Sequence, residues 1–294
     1  MRRYPFVTVD VFTDRRFGGN PLAVFPDARG LSDAEMQALA AEFNLSETTF
    51  VLPPEDPAHT ARVRIFTRKY EMPFAGHPNV GTGFVLAGSS GADRLLFEEI
   101  AGLVEVRVER DAQGGVTGTT IAAPQPLTTG ERFDPAAIAA LAGLDPAEIR
   151  AGAHPPVHAG TGNPFIIAEA APDALSRAQP DTASFRRLAD AHPGLGGRAS
   201  LYLYAHDGPG RVRARMFAPL GGTVEDAATG SAATPLAALL LSLSDAPEAR
   251  LDISQGAEMG RPSLLRTTAR RGADGIRATV GGGCVPVLRG EATL

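Results

Sequence analysis

The sequence predicts an α+β protein of two pseudo-symmetric halves, in each of which a strongly curved sheet wraps around a central apolar helix. The first observation is a polar stretch, residues 75–83, that opens into an uncharged run, residues 84–92. The second is a copy of this arrangement 149 residues later, where residues 224–232 open into the uncharged run 233–244. The third is a series of short segments in which apolar and polar residues alternate, as in strands with one buried face. We therefore predict a duplicated half-chain, with the two polar stretches facing each other across a cleft.

Individual residues support this duplication. We name residues 75–83 and 224–232 the first and second signature turns. At the offset of 149 the matching pairs are Gly81 with Gly230, Thr82 with Ser231, and His77 with Asp226. A further match has an offset of 143, because the motif Gly-Asn-Pro occurs at residues 19–21 and again at residues 162–164.

Composition excludes several classes of protein. The chain has 294 residues, 21% of them charged and 44% hydrophobic, which is typical of a globular protein. The net charge of −5 and the lack of a basic face argue against a nucleic-acid partner. An alternating strand follows the first three residues, so we expect no signal peptide. The uncharged run 227–244 has the length of a membrane span, but it contains Pro235 and several hydroxyl residues, which favours a buried helix.

Single residues limit the cofactor chemistry. Cys284 is the only cysteine, so no intrachain disulfide can form and a cytosolic location is expected. Lys69 is the only lysine, and it lies in a charged turn that is a poor setting for a Schiff base. The spacing of His59, His154 and His158 does not match a metal-ligand pattern, and neither does that of His206. We therefore expect no metal site, and Lys69 is the only candidate for binding pyridoxal phosphate.

The first half, in chain order, begins with a strand at residues 7–12, a turn at 17–21 and a second strand at 22–25. A helix follows from Ser32 to Phe43, where Ser32 and Glu35 form a capping box. Strands are predicted near residues 48–52, 61–66, 95–98, 104–108 and 119–122. The Pro124-Gln125-Pro126 segment is the linker. We assign residues 1–124 and 125–294 to two domains and allow the last strand to cross back to the first.

The second half repeats the plan. Short helices are predicted at residues 134–141 and 181–191, and another begins at Asp145-Pro146. Strands are predicted near residues 157–167, 200–204 and 211–217, and four more follow the central helix, the last near residues 285–288.

Glu47 lies where the first helix has ended and a strand begins, between Leu45 and Phe50. One interpretation is an exposed loop carboxylate, as most glutamates are. The other is a half-buried carboxyl with a raised pKa, suited to act as an acid or a base. Spacing alone leaves both open.

The signature turns offer a possible anion site. They place Gly81 and Gly230 beside Thr82 and Ser231, at what the pattern predicts to be helix N-termini. Free N–H groups and the positive end of the helix dipole bind anions at such places. The alternative is that Thr82 and Ser231 only cap their helices.

Several motifs together resemble the phenazine biosynthesis PhzF-like proteins, which have the diaminopimelate epimerase fold. The segments that carry the resemblance are Val9-Asp10-Val11-Phe12, Gly19-Asn20-Pro21-Leu22-Ala23-Val24, Leu45-Ser46-Glu47-Thr48-Thr49-Phe50, Ala75-Gly76-His77-Pro78 with Gly81-Thr82, and Glu225-Asp226-Ala227-Ala228-Thr229-Gly230-Ser231. The resemblance covers nearly the whole chain. Ala227 departs from it, since the family usually has proline there.

The resemblance implies a cofactor-independent isomerase with two domains, mostly antiparallel sheets, an active site between the domains, and assembly as a homodimer. It implies that Glu47 moves the proton and that His77 and Asp226 bind and orient a small carboxylate substrate. Ser231 and neighbouring backbone N–H groups would hold the carboxylate, and the residues assigned to this role are Gly76, Gly81, Thr82, Gly230 and Ser231. Related racemases use two cysteines at the positions of His77 and Asp226, so two-thiol chemistry is not expected here.

Two rival functions remain open. A non-catalytic or regulatory protein could keep the cleft and bind a small molecule without turning it over. Retention of Glu47, His77 and Asp226 favours the enzyme. A hydrolase is disfavoured because no nucleophile with a matched base is evident.

Overall fold

The computed structural model describes residues 1–88 and 90–294, and the chain divides into two compact units. The first unit comprises residues 1–124 and 279–294, and the second comprises residues 125–278. The second predicted domain extends to residue 294, whereas the structure assigns residues 279–294 to the first unit. The reason is strand pairing, because this C-terminal segment forms ladders with the first and eighth strands of the chain.

The first unit contains two helices, α1 (Asp33–Phe43) and α2 (Gly76–Ser90). Its strands are β1 (Arg3–Val11), β2 (Asn20–Phe25), β3 (Glu47–Leu52), β4 (Ala61–Thr67), β5 (Glu71–Met72), β6 (Arg94–Glu99), β7 (Gly102–Arg110) and β8 (Val116–Ala122).

The second unit contains the helices α3 (Pro135–Ala142), α4 (Pro172–Leu175), α5 (Thr182–Ala191) and α6 (Gly230–Ser242). Its strands are β9 (Thr128–Arg132), β10 (Ile149–Arg150), β11 (Val157–Gly160), β12 (Pro164–Ala170), β13 (Leu201–His206), β14 (Arg211–Ala218), β15 (Thr223–Asp226), β16 (Glu248–Gln255) and β17 (Ser263–Gly272). The long strand β18 (Gly275–Thr293) begins in this unit and continues in the first.

The sheet of the first unit closes on itself. β1 and β2 are antiparallel, β2 and β3 are parallel, β3 and β4 are antiparallel, and β4 and β6 are parallel. The antiparallel strands β6, β7 and β8 follow, and β18 joins β8 back to β1. Helix α2 packs inside this ring against β1, β2, β3, β7 and β8. These strands cover α2 along residues 76–83, which are buried, whereas Phe84, Val85 and Leu86 are partly exposed.

Local sequence explains these elements. Ala61, Val63 and Ile65 on β4 are buried and alternate with more exposed residues, as a strand with one inward face requires. The capping box of Ser32 and Glu35 is confirmed at the start of α1, which lies on the outer face of the sheet. There Met36 packs with a cluster of aromatic rings that includes Phe25 and Phe50.

The second unit shows the same series of pairings. β11 and β12 are antiparallel, β12 and β13 parallel, β13 and β14 antiparallel, β14 and β16 parallel, and β16 and β17 antiparallel. Helix α6 packs against β11, β12, β16 and β17, and its apolar residues are almost all buried. No helix in the described part of the chain is long and apolar enough to cross a membrane. Whether His77 superimposes on Asp226 stays a prediction.

Candidate active site

The two central helices begin at different points of their signature turns. Helix α2 begins at Gly76, so nearly all of the first signature turn is helical. Helix α6 begins at Gly230, five residues later in the aligned numbering, and residues 227–229 are not helical. The prediction that Gly81 and Thr82 lie at a helix N-terminus is therefore wrong. The prediction for Gly230 and Ser231 is confirmed, since they are the first two residues of α6.

Gly81 and Thr82 serve packing inside the ring of strands. A Cβ atom on Gly81 would lie 2.6 Å from Leu22 Cδ2 and 2.8 Å from Val11 Cγ2, so glycine is needed for the helix to approach the sheet. The hydroxyl of Thr82 is fully buried and forms a 2.8 Å hydrogen bond with the Thr49 hydroxyl. The space beside both residues is filled by the protein, which argues against their predicted contact with a substrate.

Glu47 and His77 come together in the first unit. Glu47 is the first residue of β3 and His77 is the second residue of α2, and Glu47 Oε2 lies 3.6 Å from His77 Nδ1. The Glu47 side chain is 17% exposed and that of His77 is 5% exposed. The interpretation of Glu47 as a half-buried carboxyl is thus confirmed, while its raised pKa stays a prediction.

His77 is a neutral imidazole at ordinary pH. Burial lowers the pKa of His77 to about 3, because the imidazolium would lose its hydration. Its place in the first turn of α2 acts in the same direction, since the positive end of the helix dipole disfavours a cation. The contact with Glu47 is therefore a meeting of a carboxyl group with a neutral ring. The other ring nitrogen, Nε2, is buried and has no hydrogen-bond partner among the described residues.

Asn20 completes this group. Its Nδ2 lies 3.4 Å from His77 Nδ1, and its Oδ1 accepts a 3.3 Å hydrogen bond from the Ser46 hydroxyl. The preceding Gly19 has a φ of +62°, and a Cβ there would lie 2.3 Å from the Val11 carbonyl oxygen. Only glycine tolerates this position, so Gly19 fixes where Asn20 enters β2.

Asp226 belongs to a hydrogen-bond network of the second unit. It is the last residue of β15, is 8% exposed, and accepts a 2.6 Å hydrogen bond from the Thr229 hydroxyl. The Gln255 amide nitrogen donates to the Asp226 carbonyl oxygen at 2.8 Å, and the Gln255 amide oxygen accepts from the Thr229 N–H and the Tyr202 hydroxyl. Burial and the nearby Asp226 charge raise the pKa of Tyr202, which keeps that hydroxyl protonated as a donor.

The N-terminus of α6 has no side-chain cap. The Thr229 side chain is engaged by Asp226 and does not cap the helix. Ser231 is partly exposed, and its hydroxyl forms no hydrogen bond with the described residues. Gly230 precedes it, and a helix N-terminus without a side-chain cap favours a negative charge.

Gly76 opens α2 after Ala75, which provides no side-chain cap. Its N–H group is therefore at an uncapped helix end beside His77. Among the described residues, no group of three or more His, Cys, Asp or Glu side chains is arranged to hold a metal ion.

The sequence alone did not reveal the residues that support the Glu47–His77 pair and Asp226. Asn20 was assigned only to a turn, and Tyr202, Thr229 and Gln255 were given no role. The repeated Gly-Asn-Pro motif could have indicated a structural role for Asn20, because the same three residues occur in both halves of the chain. Nothing local marks Gln255, which reaches the signature turn from a strand 26 residues or more away in sequence.

Comparison with known proteins agrees with the sequence and the fold. The family model described as Phenazine biosynthesis-like protein matches residues 9–290. A trans-2,3-dihydro-3-hydroxyanthranilate isomerase from Pseudomonas aeruginosa is 38% identical, with 100% of both chains covered. An uncharacterized isomerase from Mesorhizobium japonicum is 41% identical, with 99% of both covered.

Solved structures show the same architecture. A predicted epimerase from Pseudomonas aeruginosa has a TM-score of 0.81 at 32% identity, with 99% of both chains covered. A hydroxyproline epimerase from Agrobacterium vitis has a TM-score of 0.63 at 14% identity, covering 100% of this chain and 93% of that one, which is a likeness of fold alone.

Proposed function

Because the chain belongs to the phenazine biosynthesis-like (PhzF) family of isomerases, we propose that it isomerises a small carboxylate by moving a proton between two carbons without a cofactor. The observation that carries this proposal is the contact between Glu47 and a neutral, buried His77 at 3.6 Å. A carboxyl group that can take up and release a proton is the essential part of such a reaction.

Glu47 is the proton carrier in this mechanism. It removes a proton from a carbon that is activated by a neighbouring carbonyl or enamine system, and it returns a proton to another carbon on the same face. His77 is neutral, so it does not compete with Glu47 for the proton at neutral pH. Its Nε2 is available to contact a substrate oxygen on which negative charge develops.

Ser231 and Asp226 are the substrate-binding side chains of this proposal. The Ser231 hydroxyl and the first N–H groups of α6 bind the carboxylate, as an uncapped helix N-terminus favours. Asp226 can only accept hydrogen bonds when ionised, so it suits an amino or hydroxyl group of the substrate. Gly76 contributes the N–H group at the start of α2.

The names of three relatives support a proposal for the substrate class. They are named trans-2,3-dihydro-3-hydroxyanthranilate isomerases, a name that describes a ring bearing a carboxylate, an amino group and a hydroxyl. We propose a cyclic, partly unsaturated amino carboxylate for this chain too, acted on in the cytosol by a homodimer.

The test is incubation of the protein with trans-2,3-dihydro-3-hydroxyanthranilate in D2O, followed by NMR of the carbon-bound protons. We expect isomerisation with deuterium at the newly protonated carbon. The control is Glu42→Gln, because Glu42 is an exposed glutamate of α1 outside the site, and this variant should be fully active. Saturable binding of this compound and of related cyclic amino carboxylates without turnover of any of them would favour the regulatory binder instead.

A further inference from the structure

The two ring nitrogens of His77 have unlike surroundings, and this difference determines which nitrogen carries the proton. Nδ1 faces Asn20 Nδ2 at 3.4 Å and Glu47 Oε2 at 3.6 Å. Nε2 is buried and meets no hydrogen-bond partner among the described residues. A neutral imidazole has one N–H donor and one lone-pair acceptor, so the neighbours of Nδ1 decide the role of Nε2.

The orientation of the Asn20 amide is set on its far side. Asn20 Oδ1 accepts from the Ser46 hydroxyl, which turns the amide nitrogen toward His77. An amide nitrogen is only a donor, so His77 Nδ1 must offer its lone pair. Glu47 Oε2, at 3.6 Å from Nδ1, lies beyond hydrogen-bond distance, so the nearer Asn20 amide sets the role of Nδ1.

We propose that Asn20 is a positioning residue that holds His77 as the Nε2–H tautomer, so that Nε2 donates a hydrogen bond to an oxygen of the substrate. The hydrogen bond from Nε2 to a substrate rests on the function proposed above. The tautomer is a property of the protein without substrate. Glu47 then moves the proton alone, and His77 stabilises the negative charge that builds up when the carbon is deprotonated.

The reversed tautomer would present a lone pair to that oxygen. Two lone pairs repel each other, and the developing charge would increase the repulsion in the transition state. The tautomer should therefore affect kcat much more than KM, because the interaction strengthens as charge develops.

The first test is the nitrogen spectrum of the histidine side chains at neutral pH, in protein labelled with 15N and without substrate. We expect His77 to be neutral with the proton on Nε2. His154 is an internal reference of opposite kind, because its Nδ1 lies 2.8 Å from the Pro155 carbonyl oxygen and must carry a proton. A His77 ring protonated on Nδ1, or on both nitrogens, overturns the proposal, even if the protein is an active isomerase.

The second test is Asn20→Asp, which replaces the amide donor by a carboxylate that accepts. We expect the His77 proton to move to Nδ1 and kcat to fall by about 100-fold or more, with KM changed far less. The matched control is Asn44→Asp, which adds the same charge in the first unit at an exposed position and should leave the His77 spectrum and kcat unchanged.

An Asn20→Asp protein that keeps the proton on Nε2 overturns the role of Asn20. If that variant does not fold, the wild-type spectrum still decides the tautomer. Asn20→Ala then tests the role of Asn20, because it removes the amide donor without adding an acceptor, and a His77 proton that stays entirely on Nε2 in this variant overturns that role.

Discussion

Two adjacent glutamates of β6 should influence stability with opposite dependence on pH. Burial raises the pKa of Glu99 to about 8, and neither carboxyl oxygen has a hydrogen-bond partner among the described residues. The buried Asn79 carboxamide lies beside it, and Asn79 Oδ1 also lacks a donor. Desolvation is the larger effect, and the contact with Asn79 opposes it by favouring the ionised carboxyl. Glu98 has the reverse environment, since backbone N–H groups of residues 55 and 56 and the His59 ring lower the pKa of Glu98 to about 2.

The direction in which pH changes the free energy of unfolding depends on which state, folded or unfolded, binds more protons. The pKa of Glu99 is higher in the folded state than the ordinary value of 4.5, so the folded protein holds this proton between about pH 4.5 and 8 while the unfolded chain releases it. Stability from this group is therefore complete below pH 4.5 and is lost as pH rises to about 8. At about 1.4 kcal/mol per pKa unit, the loss is at most about 5 kcal/mol. Glu99 also borders a surface pocket of about 710 Å³, so rotation of the ionised side chain toward water reduces this value.

Glu99→Gln keeps the shape of the side chain but cannot ionise. We expect the free energy of unfolding of this variant to rise relative to wild type between pH 5 and pH 9, by a few kcal/mol, in urea unfolding followed by circular dichroism. Glu98→Gln is the matched control with the opposite sign. It should be less stable than wild type at pH 7, and the difference should shrink as pH falls toward 2, where Glu98 loses its charge. If Glu99→Gln differs from wild type by the same amount at pH 5 and pH 9, Glu99 is ionised in the folded protein and the reasoning is wrong.

Three further predictions concern binding, packing and assembly. Ser231→Ala should weaken binding of a cyclic amino carboxylate by about 1.5–3 kcal/mol in calorimetry, as for one hydrogen bond to a charged group, while Ser242→Ala at the other end of α6 leaves it unchanged. Gly81→Ala should lower the free energy of unfolding in urea by about 1–3 kcal/mol through overpacking. Gly88→Ala in the same helix has open space and should not destabilise, so equal losses for both would refute the packing role of Gly81. Sedimentation at micromolar concentration should give twice the chain mass of 30.6 kDa, and a single species of the chain mass would contradict the dimer.

Local signals in the sequence were sufficient for much of the fold. The capping box of Ser32 and Glu35 specified the start of α1 because both partners lie within one turn. The uncharged run after Gly230 predicted a buried helix, since an all-round apolar helix has to be covered on every side. The late strand predicted near residues 285–288 is also confirmed, since these residues lie within β18.

Other features depended on contacts that the sequence does not display. The start of α2 was placed too late, because the glycines and Pro78 of the first signature turn suggested an irregular segment. Proline needs no N–H in the first turn of a helix, and the closed ring of strands provides the packing that local propensity does not. Closure of that ring depends on β18 returning to β1 and β8 from the far end of the chain.

In the candidate site, too, some residues could be predicted from the sequence and others could not. Glu47, His77 and Asp226 were found from motifs, and the structure brings Glu47 and His77 together. Asn20 and Gln255 act over long distances in sequence, so only the structure could connect them to His77 and Asp226.

The identity of the proton carrier is the central claim, and exchange in the Glu47→Gln variant tests it most directly. Glutamine keeps the size of the side chain and much of its hydrogen bonding, but it has no proton to transfer. The variant should fold, bind the substrate about as tightly as wild type, and incorporate no solvent deuterium into a carbon-bound position of substrate or product in D2O. If Glu47→Gln exchanges that proton at the wild-type rate, another group is the base and the proposed mechanism is wrong.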